Sequence, residues 1–276
     1  FKHFLFHQYS KLAAFFYAHV MIGFIERKHK KSFQNIENFC LFVGYPRSGH
    51  TLIGALLNAH PDAVIAHELN ALKYVQKGIR KNRLFAKLIA RDKWFKARGF
   101  SWSGYSYKID GQWQGKYKKL KVLGDKRGGK TSRMLCNNIQ LLDRLKDTTG
   151  KHLKIIHITR NPFDNIATRA RGGNYYNRNA GNERIMMEID RHFREVESIA
   201  QVKKNRSYEM FDLKHEDFKT SPERYLRNLC EFLGLTPYDD YIQECLKLIK
   251  PRKSRSRDRV KWTQEAIDKI NNRIRK

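Results

Sequence analysis

The stretch 39-FCLFVGYPRSGHTLIGALLNAHPDAVIAHE-68 decides how this chain is read. Phe39 to Val43 is an unbroken apolar run of strand length. Gly44 to Thr51 is a loop bounded by glycine, and Leu52, Ile53, Leu56 and Leu57 recur at helical spacing. A strand that runs through such a loop into a helix leaves backbone N–H groups, and the positive end of the helix dipole, facing whatever the loop encloses. Arg47 adds a fixed cation and Ser48 and Thr51 add hydroxyls, with Gly49 and His50 at the turn into the helix. The predicted ligand is a phosphate or sulfate ester.

Working outward, Pro61 stops the helix, and Ala63 to Ala66 is a short strand delivering His67 and Glu68 to its carboxyl end. Further strands are predicted at Leu120–Leu123, Lys154–Thr159 and Tyr208–Leu213. Helical periodicity covers Leu72–Trp94, the run through Leu135 to Leu145, Glu183–Lys203 and Tyr238–Ile249. Asn161-Pro162 reads as an N-cap with proline at the first helical position, opening a helix that carries Thr168. Ser221-Pro222 and Thr263 read as further caps. Strands that alternate with helices predict an α/β fold: a single domain over 36–276, with a mostly parallel central sheet flanked by helices. Ahead of it, 1–35 is a helical segment. Its apolar run Leu12–Ile25 is short for a bilayer and contains His19, which predicts a packed or amphipathic helix. Glu26–Ser32 reads as a charged connector, and the Arg27–Lys31 cluster would suit peripheral membrane contact. Residues 97–119, rich in Gly, Ser, Tyr and Trp, read as a long loop or small hairpin that walls a site.

Composition narrows the function. Hydrophobic residues make up 41% of the 276 and aromatics 12%, enough for a core and against disorder. Lys and Arg number 56 against 27 Asp and Glu, a formal charge of +29. Such a field attracts polyanions, whether nucleic acid, anionic lipid, sulfated or carboxylated glycan or a polyphosphorylated cofactor, without choosing among them, and no specific nucleic acid is expected as a partner. The four cysteines are scattered without a C-x-x-C pair, and no H-E-x-x-H occurs, so neither a disulfide scaffold nor a metal is expected.

Two loops compete for the anion. Gly124 to Thr131 satisfies the G-x-x-x-x-G-K-S/T spacing after a strand, which by itself would suggest a P-loop nucleotide kinase or NTPase. The first strand already has its own cradle, however, and only Asp212 offers itself as a magnesium-binding partner. A third reading is a non-enzymatic polyanion-binding protein driven by charge alone.

With Arg47-Ser48-Gly49 after the first strand, Lys126 after another and Arg160 after a third, the chain resembles the sulfotransferase family. The resemblance is to the branch of tyrosylprotein sulfotransferases and related bacterial enzymes, over about Phe39 to Trp262. It implies a P-loop-like sulfotransferase fold and transfer of a sulfuryl group from 3′-phosphoadenosine-5′-phosphosulfate (PAPS) to a hydroxyl or amine, without a metal. It also implies that Arg47, Ser48, Gly49, His50 and Thr51 hold the 5′-phosphosulfate and that Arg160 and Thr168 grip the 3′-phosphate. Lys126 then stabilises the leaving phosphate together with Arg47, and Glu68 is the general base. The polybasic loop with Arg252 and Ser254 lies where the family closes over the cofactor. His50 stands where the family usually has Thr. The basic face and polybasic loop point to an acidic glycan or peptide acceptor, while the aromatic loop Phe100–Tyr117 would equally line a phenolic or lipid pocket. The expected location is the cytoplasm, or the Golgi lumen or a membrane if an N-terminal anchor has been removed.

Overall fold

The computed structural model describes residues 20–172, 179–204, 208–250 and 255–275. At its centre is a five-stranded sheet of β1 (Asn38–Gly44), β2 (Ala63–His67), β5 (Val122–Lys126), β6 (His152–Thr159) and β7 (Glu209–Lys214), in the order β2-β5-β1-β6-β7. Every pairing is parallel, with Phe39 opposite Leu123 on one side and Leu153 on the other. All seven residues of β1 are buried, as a middle strand covered on both faces requires, which is why its sequence is a continuous apolar run. Alternation sorts its side chains: Phe39, Leu41 and Val43 join one core layer, Cys40 and Phe42 the other. The expected α/β architecture is the one found.

The helices are α1 (20–34), α2 (His50–Asn58), α3 (Ala71–Gln76), α4 (Lys81–Ala97), α5 (Gly128–Asn137), α6 (Leu141–Thr149), α7 (Pro162–Ala170), α8 (Asn182–Lys204), α9 (His215–Thr220), α10 (Pro222–Phe232), α11 (Asp239–Lys247) and α12 (Gln264–Ile274). A two-stranded hairpin, β3 (Ser101–Trp102) with β4 (Tyr105–Ser106), follows α4. Among the described residues no helix is long and apolar enough to cross a membrane.

Several boundaries differ from the sequence reading. Glu26–Ser32 is not a connector but the body of α1, because Ile22, Ile25 and Phe33 bury one face against the core. The predicted helix Leu72–Trp94 is two helices, broken where Gly78 turns at φ +73°. Ser221 makes no side-chain cap bond, whereas the Asn161 side chain accepts from the Phe163 and Asp164 amides and the Thr263 side chain from the Ala266 amide. The start of the N-terminal segment, before Val20, lies outside the described residues.

Candidate active site

The carboxyl ends of β1, β2, β5 and β6 open onto one crevice, the place where open parallel sheets bind ligands. The loop from β1 to α2 turns through positive φ at Gly44 (+129°), Arg47 (+73°) and Gly49 (+96°). It is held from below. Asn165 on α7 donates to the Pro46 carbonyl (2.8 Å) and the Ser48 hydroxyl (3.0 Å), and Arg160 donates to the Arg47 carbonyl (2.7 Å). The Ser132 hydroxyl of α5 accepts from the Gly44 amide at 2.9 Å. Helix α2 has no side-chain cap and no acidic residue in its first turn, so its N-terminal positive end is uncompensated. The His50 imidazole turns away from this face. It is buried, donates from Nε2 to the Val43 carbonyl (3.1 Å) and fills the space that side chains at Gly44 and Gly128 would need. Burial pulls its pKa down to about 4, so it is neutral, and only its backbone amide faces the loop.

The ends of β2 and β5 meet α2 at a charged cluster. The buried Lys126 ammonium donates to the Thr51 hydroxyl (3.0 Å) and to Glu68 Oε1 (3.1 Å), and Arg127 donates to the Glu68 carbonyl (3.1 Å). Burial pushes the Glu68 carboxyl up, but Lys126, Arg127 and Arg91 together outweigh it, and its pKa falls below the usual carboxylate value. Glu68 is therefore ionised at neutral pH. Its orientation comes from an unusual turn, with Glu68 at φ +60° and Asn70 at φ +69°, both left-handed and neither glycine. Buried Asp125, next to Lys126, clasps that turn by accepting from the Leu69 amide (3.0 Å) and the Ala71 amide (2.7 Å). His67 is not a partner of Glu68. Its ring stacks on Phe95 with centroids 3.9 Å apart, and burial among cations lowers its pKa to about 2.

A third group assembles at β6 and α7. Arg160 leaves the strand end and donates to Thr168 Oγ1 (3.5 Å) and Ser256 Oγ (3.1 Å) as well as to the Arg47 carbonyl, so the first loop and this one share a guanidinium. Residues 257–259 form a 3₁₀ turn strapped across α7: Asp164 accepts from the Arg257 amide (2.9 Å) and from its guanidinium (2.7 Å). Trp262 packs edge-on against Phe163 and donates to the Arg257 carbonyl at 2.9 Å. Arg252 and Ser254, named from the sequence, lie outside the described residues.

The structure thus brings Arg47, Ser48, Gly49, Thr51, Glu68, Lys126, Arg160 and Thr168 to one crevice. Sequence reasoning missed Asp125, Asn165, Asp164 and Arg257, which hold these groups from afar. The rival loop is not a loop. Gly124, Asp125 and Lys126 are strand residues, α5 starts at Gly128, and a single residue separates the two elements. The start of α5 is packed shut against the first loop: Gly128 and Gly129 are buried, one against the His50 ring and the other against Pro46, which leaves no room for a phosphate. Lys130 is exposed, and Asp212 is half-exposed on β7 and bonded to His157 Nδ1 (2.7 Å) and Lys203 (2.6 Å).

The fold is an α/β sheet whose central strand runs through a glycine-bounded loop into an uncapped helix. A family model described as the sulfotransferase family matches residues 41–240. Among solved structures, a sulfotransferase of Mycobacterium avium is 12% identical with a TM-score of 0.52, over 92% of this chain and 80% of its own, a likeness of fold. The sulfotransferase domain of the Synechococcus PCC 7002 olefin synthase is 17% identical (TM-score 0.49, 86% of this chain and 94% of that one). A mouse sulfotransferase in complex with PAP is 13% identical (TM-score 0.45, 87% and 83%). No curated protein matches the chain. This chain belongs to the sulfotransferase family, and the reaction class is PAPS-dependent transfer of a sulfuryl group.

Proposed function

We propose that this chain moves the sulfuryl group of PAPS to an acceptor hydroxyl by in-line displacement, with Glu68 as general base. The observation that carries this reading is the convergence of cations from three strand ends on the uncapped start of α2: Arg47 after β1, Lys126 ending β5 and Arg160 after β6. These residues fit the donor. The amides of the first turn of α2, the Thr51 hydroxyl and Lys126 would hold the 5′-phosphosulfate. Arg160 and Thr168, beside the dipole end of α7, would hold the 3′-phosphate, and the Arg257 strap would cover it. Bound PAPS supplies an electrophilic sulfur whose bond to the bridging phosphate oxygen breaks as the new S–O bond forms.

The chain's own residues then have distinct tasks. Glu68, ionised and on the open side of the cluster, takes the acceptor proton. Lys126 and Arg47 stabilise charge growing on the departing phosphate oxygen, the preorganised electrostatic help that also serves phosphoryl transfer. Lys126 links both tasks, because one ammonium touches the base and the Thr51 of the cradle. The test is calorimetric titration with adenosine 3′,5′-bisphosphate (PAP). Loss of the Arg160 guanidinium removes about two charge-assisted bonds, so Arg160→Ala should weaken binding about 100-fold. Affinity equal to wild type would overturn the assignment.

A further inference from the structure

Next to Glu68, α4 and the β3–β4 hairpin pack on His67: Phe95 stacks on its ring at 3.9 Å and Trp102 meets it edge-on at 4.6 Å. Three side chains at helical spacing, Arg91 and Trp94 of α4 and Arg98 just past its end, form a ladder there. The Arg91 guanidinium lies 3.8 Å from the centre of the Trp94 ring and the Arg98 guanidinium 5.0 Å from the same ring. Arg91 is also tied to the base's own strand, since its Nε donates to the carbonyl of His67, the residue before Glu68, at 2.6 Å. Among the described residues no carboxylate lies within ion-pair distance of either arginine, and Glu68 and Asp125 act on Arg91 only through space. Two like charges thus share one indole next to the strand that carries the base, and each guanidinium is a fork of N–H donors.

The cavity behind Lys126, lined by Thr51, His67, Phe95, Phe100 and Gln114, has a volume of about 10 Å³, room for one water. Outside that cavity, beside the ladder, stand the exposed rings of Trp94 (37% exposed) and Tyr105 (54% exposed). Preorganised guanidinium forks match carboxylate or sulfate, and the exposed Tyr105 ring, which neither guanidinium covers, matches the apolar C–H face of a pyranose.

We infer that the Arg91–Trp94–Arg98 ladder is an acceptor subsite for an acidic saccharide, binding the carboxylate or sulfate of a sugar next to the one that is sulfated. The inference rests on the sulfotransferase reading of this same site, and names its substrate class. The rigid ladder selects acceptors by charge and leaves the chemistry to Glu68.

The test is labelled-sulfate transfer from PAPS to unsulfated chondroitin and heparosan oligosaccharides, to the same oligosaccharides with their carboxyl groups reduced, and to a tyrosine peptide flanked by glutamates. Wild type should sulfate an acidic oligosaccharide, with kcat/KM about tenfold or more above its reduced counterpart. Arg98→Ala should raise KM for the acidic form about tenfold with kcat little changed, and that preference should collapse. Trp94→Leu, which unpins both arginines, should act in the same direction. PAP titration of each variant reports on the donor site separately. Normal PAP affinity with no transfer to any acidic oligosaccharide, with better transfer to the peptide, or with an acidic preference that survives Arg98→Ala, would overturn the subsite and leave the sulfotransferase reading standing. Absent PAP binding in wild type would instead overturn that reading, and the subsite with it.

Discussion

Replacing Asp92 by Asn should make the protein more stable at pH 8 and not at pH 4. Asp92 sits on α4, only 1% exposed, and its one hydrogen bond among the described residues comes from Asn58 Nδ2 at 2.8 Å. Burial pushes its carboxyl up to about 7, against the opposing pull of Asn58, Lys96 and Lys93, from an ordinary 3.8. A carboxyl whose folded pKa is raised binds its proton more tightly in the folded state. Stability is therefore lost as pH rises from about 4 through about 7, by about 1.4 kcal/mol per unit, or roughly 4 kcal/mol over the whole shift. Asn at 92 keeps an oxygen for Asn58 and carries no charge, but its own N–H groups have no acceptor there, a penalty of about 1–3 kcal/mol. The expected net gain at pH 8 is about 1–3 kcal/mol, falling to zero or below at pH 4. Urea denaturation of both proteins across that range measures it, and the difference between them cancels every other titrating group. A difference that does not change with pH, or an Asn variant less stable at pH 8, would refute the reasoning. The effect bears on the site because Asn58 also accepts from the Ile65 amide at 2.8 Å, so the α4 carboxyl helps fix the strand that carries Glu68.

Asp125→Asn keeps the shape but turns an N–H toward one of the two amides that the carboxylate now clasps. Release of the left-handed turn should lower kcat about 30-fold or more while PAP affinity stays within about twofold, read by initial rates beside calorimetry. Gly49→Ala places a methyl 2.6 Å from His215 Nδ1 at a backbone φ of +96°. It should destabilise the protein by about 2–4 kcal/mol in thermal unfolding and weaken PAP binding, because the start of α2 must move.

The strand, loop and helix from Phe39 to Asn58 were legible in the sequence because each carries its own local signal: a two-sided buried strand, a glycine-bounded turn and a helical stripe. The Asn161-Pro162 cap was legible for the same reason, since its hydrogen bonds close within three residues. The Gly124–Thr131 pattern misled because spacing does not state whether residues are paired. Gly124 is glycine since a side chain there would lie 2.6 Å from the Cys40 carbonyl of the neighbouring strand, a demand of sheet packing and not of phosphate. Asp125, Asn165 and Asp164 were missed because their partners lie 54 to 119 residues away in sequence. His50 was expected in the cradle by position alone. Burial of its ring against Gly44 and Gly128 became visible only when α2 and α5 were placed together.

The central claim is that Glu68 removes the acceptor proton while Arg47, Lys126 and Arg160 hold the donor. The most direct measurement is acceptor-dependent release of PAP from PAPS by wild type and by Glu68→Gln, with PAP affinity measured on the same preparations. Wild type should turn over, and Glu68→Gln should fall by about 100-fold or more with PAP binding retained. Turnover by Glu68→Gln at the wild-type rate would contradict it.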